Sequence, residues 1–129
     1  MNPKEYRYSK DHEWIYPEAG NNAKIGVTDY AQSQLGDIVY LDLPAPGKPV
    51  EQFRKMGEIE SVKAVSDIFA PASGKVIEIN QNVINDPSLV NKDPYGEGWL
   101  VRIRLTNLTE LDALMTSDDY EKLLAQGEK

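Results

Sequence analysis

The residues whose types could do chemistry fall in one run, Glu60-Ser61-Val62-Lys63-Ala64-Val65-Ser66-Asp67, where a lysine sits between two strand-forming segments with no Gly or Pro beside it. A lysine at the tip of a hairpin is fully accessible. To act as a Schiff-base nucleophile it would need an amine that readily loses its proton, through burial or a neighbouring cation. Its neighbours are acidic, which disfavours that chemistry. An exposed, flexible lysine instead suits an enzyme that must reach the ε-amine and attach a cofactor to it. If Lys63-Ala64 form a two-residue turn, pairing runs Val62 with Val65, Ser61 with Ser66 and Glu60 with Asp67, which sets two carboxylates opposite each other at a cost in stability. On spacing alone, a solvated surface lysine flanked by solvated carboxylates is the alternative.

Other chemistries find little support. The chain has no cysteine, so a disulfide framework, a thiolate metal cage and a cysteine nucleophile are absent, and any thiol chemistry must be imported. His12 is the only histidine; no metal-ligand spacing surrounds it, and it reads as structural. Gly96-Glu97-Gly98 lacks the further glycine and the strand-to-helix context of a phosphate loop and reads as a turn. Trp14 and Trp99 lie in strand patterns and read as core or cleft wall. With 14 Lys+Arg against 21 Asp+Glu, the formal charge of −7 repels a phosphate backbone, so nucleic-acid binding is not expected. No run approaches the roughly 20 apolar residues of a membrane helix. Met1 to Tyr6 carries an early glutamate and no apolar segment, so a cytoplasmic location is expected.

The elements that must hold Lys63 can be read around it. A chain of 129 residues with 40% hydrophobic and 27% charged residues is the size and composition of one globular domain. Trp14-Ile15-Tyr16 and Ala23 to Val27 read as a hairpin across a turn-rich loop. Thr28 is placed to cap a short helix near 29–35, with Gly36 as its left-handed terminator. Strands follow at Ile38 to Leu43, Gly57 to Val62, Val65 to Ala70, Val76 to Asn80 and Trp99 to Leu105, with a loop from Gln81 to Gly98. Helices are expected at Glu110 to Met115 and Asp118 to Gln126. Gly36-Asp37-Ile38-Val39 echoes Gly74-Lys75-Val76-Ile77, a hint of internal twofold symmetry. The expected fold is mainly β, a flattened barrel or sandwich of two small antiparallel sheets with a core about 8–105 and a C-terminal helical tail about 109–126. The core is expected to draw on Ile25, Val27, Val39, Leu41, Val76, Ile79, Val101 and Ile103.

Gly47-Lys48-Pro49-Val50, Gly57 to Ala64 and Ala70-Pro71-Ala72-Ser73-Gly74-Lys75-Val76 together resemble a lipoyl-attachment domain. Over nearly the whole chain the sequence resembles the H-protein family of the glycine cleavage system. The likeness runs through Tyr8-Ser9-Lys10-Asp11-His12-Glu13-Trp14, Gly26 to Gln32, Leu35 to Val39, the Glu60 to Ala64 core, Asn91 to Trp99 and Tyr120 to Leu124. The resemblance implies a non-catalytic carrier with lipoate in amide linkage on Lys63. Its implied partners are the pyridoxal-phosphate glycine decarboxylase (P protein), which loads an aminomethyl group, and the aminomethyltransferase (T protein), which releases ammonia. Dihydrolipoamide dehydrogenase (L protein) reoxidises the arm, and a lipoate ligase or lipoyl/octanoyl transferase installs it. Such a carrier is expected to be a monomer in weak, salt-sensitive complexes. Glu13 and Asp67 match acidic positions of the family's arm-docking cleft, with Glu60 close by. A lipoyl relay without glycine cleavage activity has the same fold and stays open. Biotinyl domains carry methionine on both sides of the lysine, where this chain has Val62 and Ala64. Phe53 stands in the turn before the lysine hairpin, where family members often carry a small residue.

Overall fold

Ile15 of Glu13–Pro17 (β2) and Ala23, Ile25 and Val27 of Asn22–Val27 (β3) share one face of a hairpin and enter the core, and a 3₁₀ turn at Ala19–Asn21 reverses the chain between the strands. The structure, a computed structural model, describes residues 2–126. Thr28 caps Asp29–Leu35 (α1) by accepting from the Ala31 N–H, and Gly36 ends it at φ +83°, as expected from the sequence. Ile38–Asp42 (β4), Lys55–Ser61 (β6) and Val65–Phe69 (β7) form an antiparallel three-stranded sheet in the order β4-β6-β7, numbered after Arg7–Tyr8 (β1) and Pro49–Val50 (β5). Gly74–Ile79 (β8) and Val101–Leu105 (β9) complete a six-stranded sheet in the order β1-β2-β3-β9-β8-β5. The expected mainly β fold of two small antiparallel sheets is what forms.

The core lies between the sheets. Ile25, Val27, Leu41, Val76, Val101 and Ile103 are buried there as expected, and Ile79 packs at its margin. Val39 is a correction: it is 49% exposed. A β-bulge between Ile38 and Tyr40 inserts an extra residue, so Ile38 and Leu41 point inward while Val39 and Tyr40 both point out. The same defect recurs between Val76 and Glu78 in β8, leaving Ile77 exposed. The echo noticed in the sequence thus extends to the backbone, with Val39 and Ile77 as matching bulged residues.

Several elements escaped the sequence reading. β1 and β5 have two residues each, too short for any periodic signal. The segment read as a loop from Gln81 holds two short helices, Gln81–Asn85 (α2) and Ser88–Lys92 (α3). Their start signals were present: Asn80 caps the first by accepting from Asn82 N–H, and the Asp86 carboxylate accepts from Ser88 N–H beside Pro87. The tail is a 3₁₀ segment at Leu108–Ala113 and a helix at Ser117–Ala125 (α4). Residues 1 and 127–129 of the expected single domain lie outside the described residues.

A second, aromatic cluster ties the tail to the sheet. Tyr8, Trp14 and Tyr120 are fully buried, and the Tyr8 and Tyr120 rings stack at 4.9 Å and 8°. Trp14 occupies the space that a side chain at Gly26 would need and donates its indole N–H to the Pro94 carbonyl at 3.0 Å. Tyr120 shares its hydroxyl with His12 Nδ1 at 2.7 Å and Thr28 Oγ1 at 2.8 Å. His12, at φ +71°, is thus built into the framework, in keeping with its structural reading.

Candidate functional site

The β6–β7 hairpin turns through four residues, Ser61 to Ala64, and Ser61 organises it. Its Oγ accepts from the Lys63 N–H at 3.2 Å and the Ala64 N–H at 3.1 Å, while its own N–H donates to the Ala64 carbonyl at 2.8 Å. A serine hydroxyl that satisfies the two following amides favours this wider turn over the two-residue alternative. The expected register is corrected in consequence. Glu60 pairs with Val65, Ile59 with Ser66 and Glu58 with Asp67, so Glu60 and Asp67 do not face each other. The carboxylates that do are Glu58 and Asp67, and Lys55 offsets their repulsion at 2.6 Å and 3.3 Å.

Lys63 stands exposed at the tip, and among the described residues its amine takes no carboxylate partner. Its stem runs beside Gly36, where an added Cβ would lie 3.6 Å from Lys63 Cε. The Val62 N–H donates to the Asp37 carbonyl at 3.0 Å, tying the turn to the α1–β4 junction. That junction is held by Asn91 of α3, whose amide donates to the Gly36 carbonyl and the Gln32 side chain, both at 2.9 Å, and accepts from the Ile38 N–H at 2.9 Å. Neither Ser61 nor Asn91 was singled out in the sequence as a site residue. Ser61 carried a usable signal, a hydroxyl residue two before the turn lysine; Asn91 carried none, because its partners lie more than fifty residues away in sequence.

The acidic candidates separate. Asp67 is exposed on β7 and Glu60 on β6, each on the outer face of the three-stranded sheet. Glu13 is 2% exposed. Its Oε2 accepts from the Phe69 N–H at 2.9 Å and its Oε1 bonds Ser9 Oγ at 2.7 Å. Burial pushes its carboxyl up to about 8, the two hydrogen bonds opposing the shift only in part. The residue therefore acts as a neutral clamp between the two sheets near neutral pH. On the side of the hairpin toward α1, a cleft of 240 Å³ is lined by Asp11, His12, Tyr30, Ala31, Gln34, Leu35 and Ser66. Phe53, at φ +65° and 48% exposed, stands instead on a separate groove of 640 Å³ bounded by Tyr8 to Asp11 and Ala113 to Met115.

An exposed lysine on a rigidly braced turn is a handle for covalent attachment. Among the described residues no cluster of His, Cys, Asp and Glu is arranged to hold a metal ion, and no helix is long and apolar enough to cross a membrane. Residues 6–127 match the family described as Glycine cleavage H-protein. The chain is 51% identical to the glycine cleavage system H protein of Carboxydothermus hydrogenoformans, covering 96% of this chain and 95% of that one. It is 46% identical to that of Geobacillus kaustophilus, over 97% and 98% of the two chains. A crystal structure of a glycine cleavage system H protein from Mycobacterium marinum superposes with a TM-score of 0.87 at 38% identity, covering 96% of this chain and 99% of that one.

Proposed function

The chain belongs to the glycine cleavage H-protein family, and from that membership we propose that Lys63 is the residue on which it carries the lipoyl group. The protein is the lipoyl carrier of glycine cleavage. In amide linkage to Lys63, the dithiolane would supply the thiol–disulfide exchange and the attachment point for an aminomethyl group, chemistry that a chain without cysteine cannot supply itself. The observation that carries the assignment is the Ser61-braced turn, which holds Lys63 clear of every carboxylate among the described residues.

The proposal extends to the remaining residues. The whole chain acts as one non-catalytic domain whose partners are the decarboxylase, the aminomethyltransferase, dihydrolipoamide dehydrogenase and a lipoyl-attaching enzyme. It works in the cytoplasm as a monomer in transient complexes. The α1 cleft receives the loaded arm, with Asp11 on its wall as the carboxylate for the protonated amine, while Asp67 and Glu60 stand on the opposite face of the hairpin, away from the cleft. Glu13, being buried, contributes by fixing the β7 backbone through Phe69 and the Ser9 hydroxyl.

Intact mass after expression with lipoate, with peptide mapping of the Lys63 segment, tests the attachment. One lipoyl group on Lys63, lost in Lys63→Arg, is expected. Biotin there would move the protein to carboxylase chemistry, and an unmodified lysine under a competent ligase would sink the assignment. Docking is tested with Asp11→Asn: unchanged release of formaldehyde and ammonia from the loaded arm would refute it.

A further inference from the structure

Exposed apolar side chains gather around Lys63. Val39, Tyr40, Val62 and Val65 are 49%, 57%, 69% and 61% exposed and stand on β4, on the turn and on β7. The register makes Tyr40, Glu60 and Val65 one cross-strand row. Two residues further along the same face comes the row of Asp42, Glu58 and Asp67. The row between them, Leu41, Ile59 and Ser66, points the other way: Leu41 and Ile59 enter the core and Ser66 lines the α1 cleft. The lysine hairpin therefore has two faces, one turned toward the cleft and one that is apolar beside the lysine and acidic beyond it. Lys55 spans Glu58 and Asp67, while Asp42 and Glu60 take no cation among the described residues.

We propose that this outer face is the docking surface for the enzyme that acylates Lys63, and that this enzyme presents an apolar recess rimmed by Lys and Arg side chains. The inference rests on the carrier reading of Lys63. An acylating enzyme must bring an activated acyl carbon, held as an acyl phosphate anhydride or a thioester, within bonding distance of Nζ. The unprotonated amine attacks that carbon, the C–N amide bond forms, the bond to phosphate or sulfur breaks with its electron pair leaving on the departing group, and the displaced ammonium proton goes to solvent. Such an enzyme seats the hairpin itself, so it meets Tyr40, Val62 and Val65 directly. Enzymes that work on the far end of the arm meet a group displaced by the length of the acyl chain and have no need of this face. A second copy of the chain is a poor occupant: a twofold contact would set Asp42 and Glu60 against carboxylates of a molecule that itself carries −7. A basic rim complements the same charges and steers encounter.

The test measures initial rates of lipoyl transfer from lipoate and ATP by a lipoate ligase, as a function of unmodified carrier concentration, for the full chain and for Tyr40→Gln, Val65→Thr and Asp42→Lys. Phe53→Gln, on the separate groove, is the control. The two apolar replacements are expected to raise KM about tenfold each with kcat little changed. Asp42→Lys should raise KM several-fold at low salt and lose that effect at high salt. Once fully loaded at long reaction times, the variants should support turnover by the glycine decarboxylase within about twofold of the unsubstituted chain. Unchanged KM in Tyr40→Gln and Val65→Thr overturns the proposal, as does a loss confined to decarboxylase turnover. A concentration-dependent dimer abolished by Tyr40→Gln would give the face to a second copy instead. If the unsubstituted chain accepts no lipoyl group, the carrier reading itself fails; normal loading with insensitive variants removes only this surface.

Discussion

Glu13→Gln separates a neutral buried clamp from a charged one. In the unfolded chain the Glu13 carboxyl titrates near its ordinary 4.5, and in the fold burial pushes it up to about 8. Between those values the folded chain binds a proton that the unfolded chain has lost, so stability falls as pH rises through that window and levels off above it. Integrated over the window, the loss is up to about 5 kcal/mol, at about 1.4 kcal/mol per pH unit. Glutamine has the same shape. Its carbonyl can accept from the Phe69 N–H and its amide can donate to Ser9 Oγ, replacing the two bonds seen for Glu13. The variant therefore keeps the clamp and loses the titration. Urea unfolding of both proteins from pH 4.5 to 8.5 is expected to give similar stabilities at the acid end and a growing advantage for Glu13→Gln toward pH 8. The rest of the chain is the same in both proteins, so only the Glu13 position contributes to the difference between the two profiles. Parallel profiles would refute the argument, because they would mean that Glu13 is ionised in the fold or that the clamp does not sense its charge.

Gly57→Ala should destabilise the protein by about 3 kcal/mol in urea, since the added Cβ meets the Asp42 carbonyl across the β4–β6 ladder and backbone cannot yield there. Asn91→Ala removes the partners of Ile38 N–H and the Gly36 carbonyl. It is expected to cost about 2 kcal/mol and to speed hydrogen exchange of the Val62 amide, which leans on the same junction through Asp37. Protection at Val62 equal to that of the unsubstituted chain would contradict this linkage. Tyr120→Phe keeps the ring stack on Tyr8 and loses the hydroxyl shared by His12 and Thr28, so a loss of about 1.5 kcal/mol is expected by thermal unfolding.

The parts of the fold legible in the sequence were those with local causes. Thr28 and Gly36 bound α1 because cap chemistry is written in adjacent residues. Lys63 was legible for a similar reason, since acidic neighbours and a bare turn are local facts. The parts that escaped depend on partners distant along the chain. Val39 looks like a core residue by alternation and is turned out by a bulge that exists only where β4 meets β6. Glu13 reads by resemblance as an acidic residue of an arm-docking cleft and is buried, its carboxylate bonded to the Phe69 N–H of β7, a partner 56 residues away. The hairpin register lies between these cases: the Ser61 hydroxyl is a local signal, but the four-residue turn it closes shows only in the pairing of Glu60 with Val65.

β9 is the last strand among the described residues, yet it lies inside the six-stranded sheet between β3 and β8. During synthesis, the β2–β3 hairpin leaves the ribosome with one ladder edge open, and that edge cannot be closed until residues 101–105 follow. The contact of Trp14 with Pro94, 80 residues apart in sequence, waits nearly as long. Such long-range closure slows folding and leaves β3 available to strands of other chains in the meantime. The lysine hairpin is contiguous and braced from within by Ser61, so it can take shape while its surroundings are still incomplete. A nascent chain halted before Val101 would thus display the lysine turn without the closed sheet behind it, and its hazard would be pairing through β3 rather than loss of the turn.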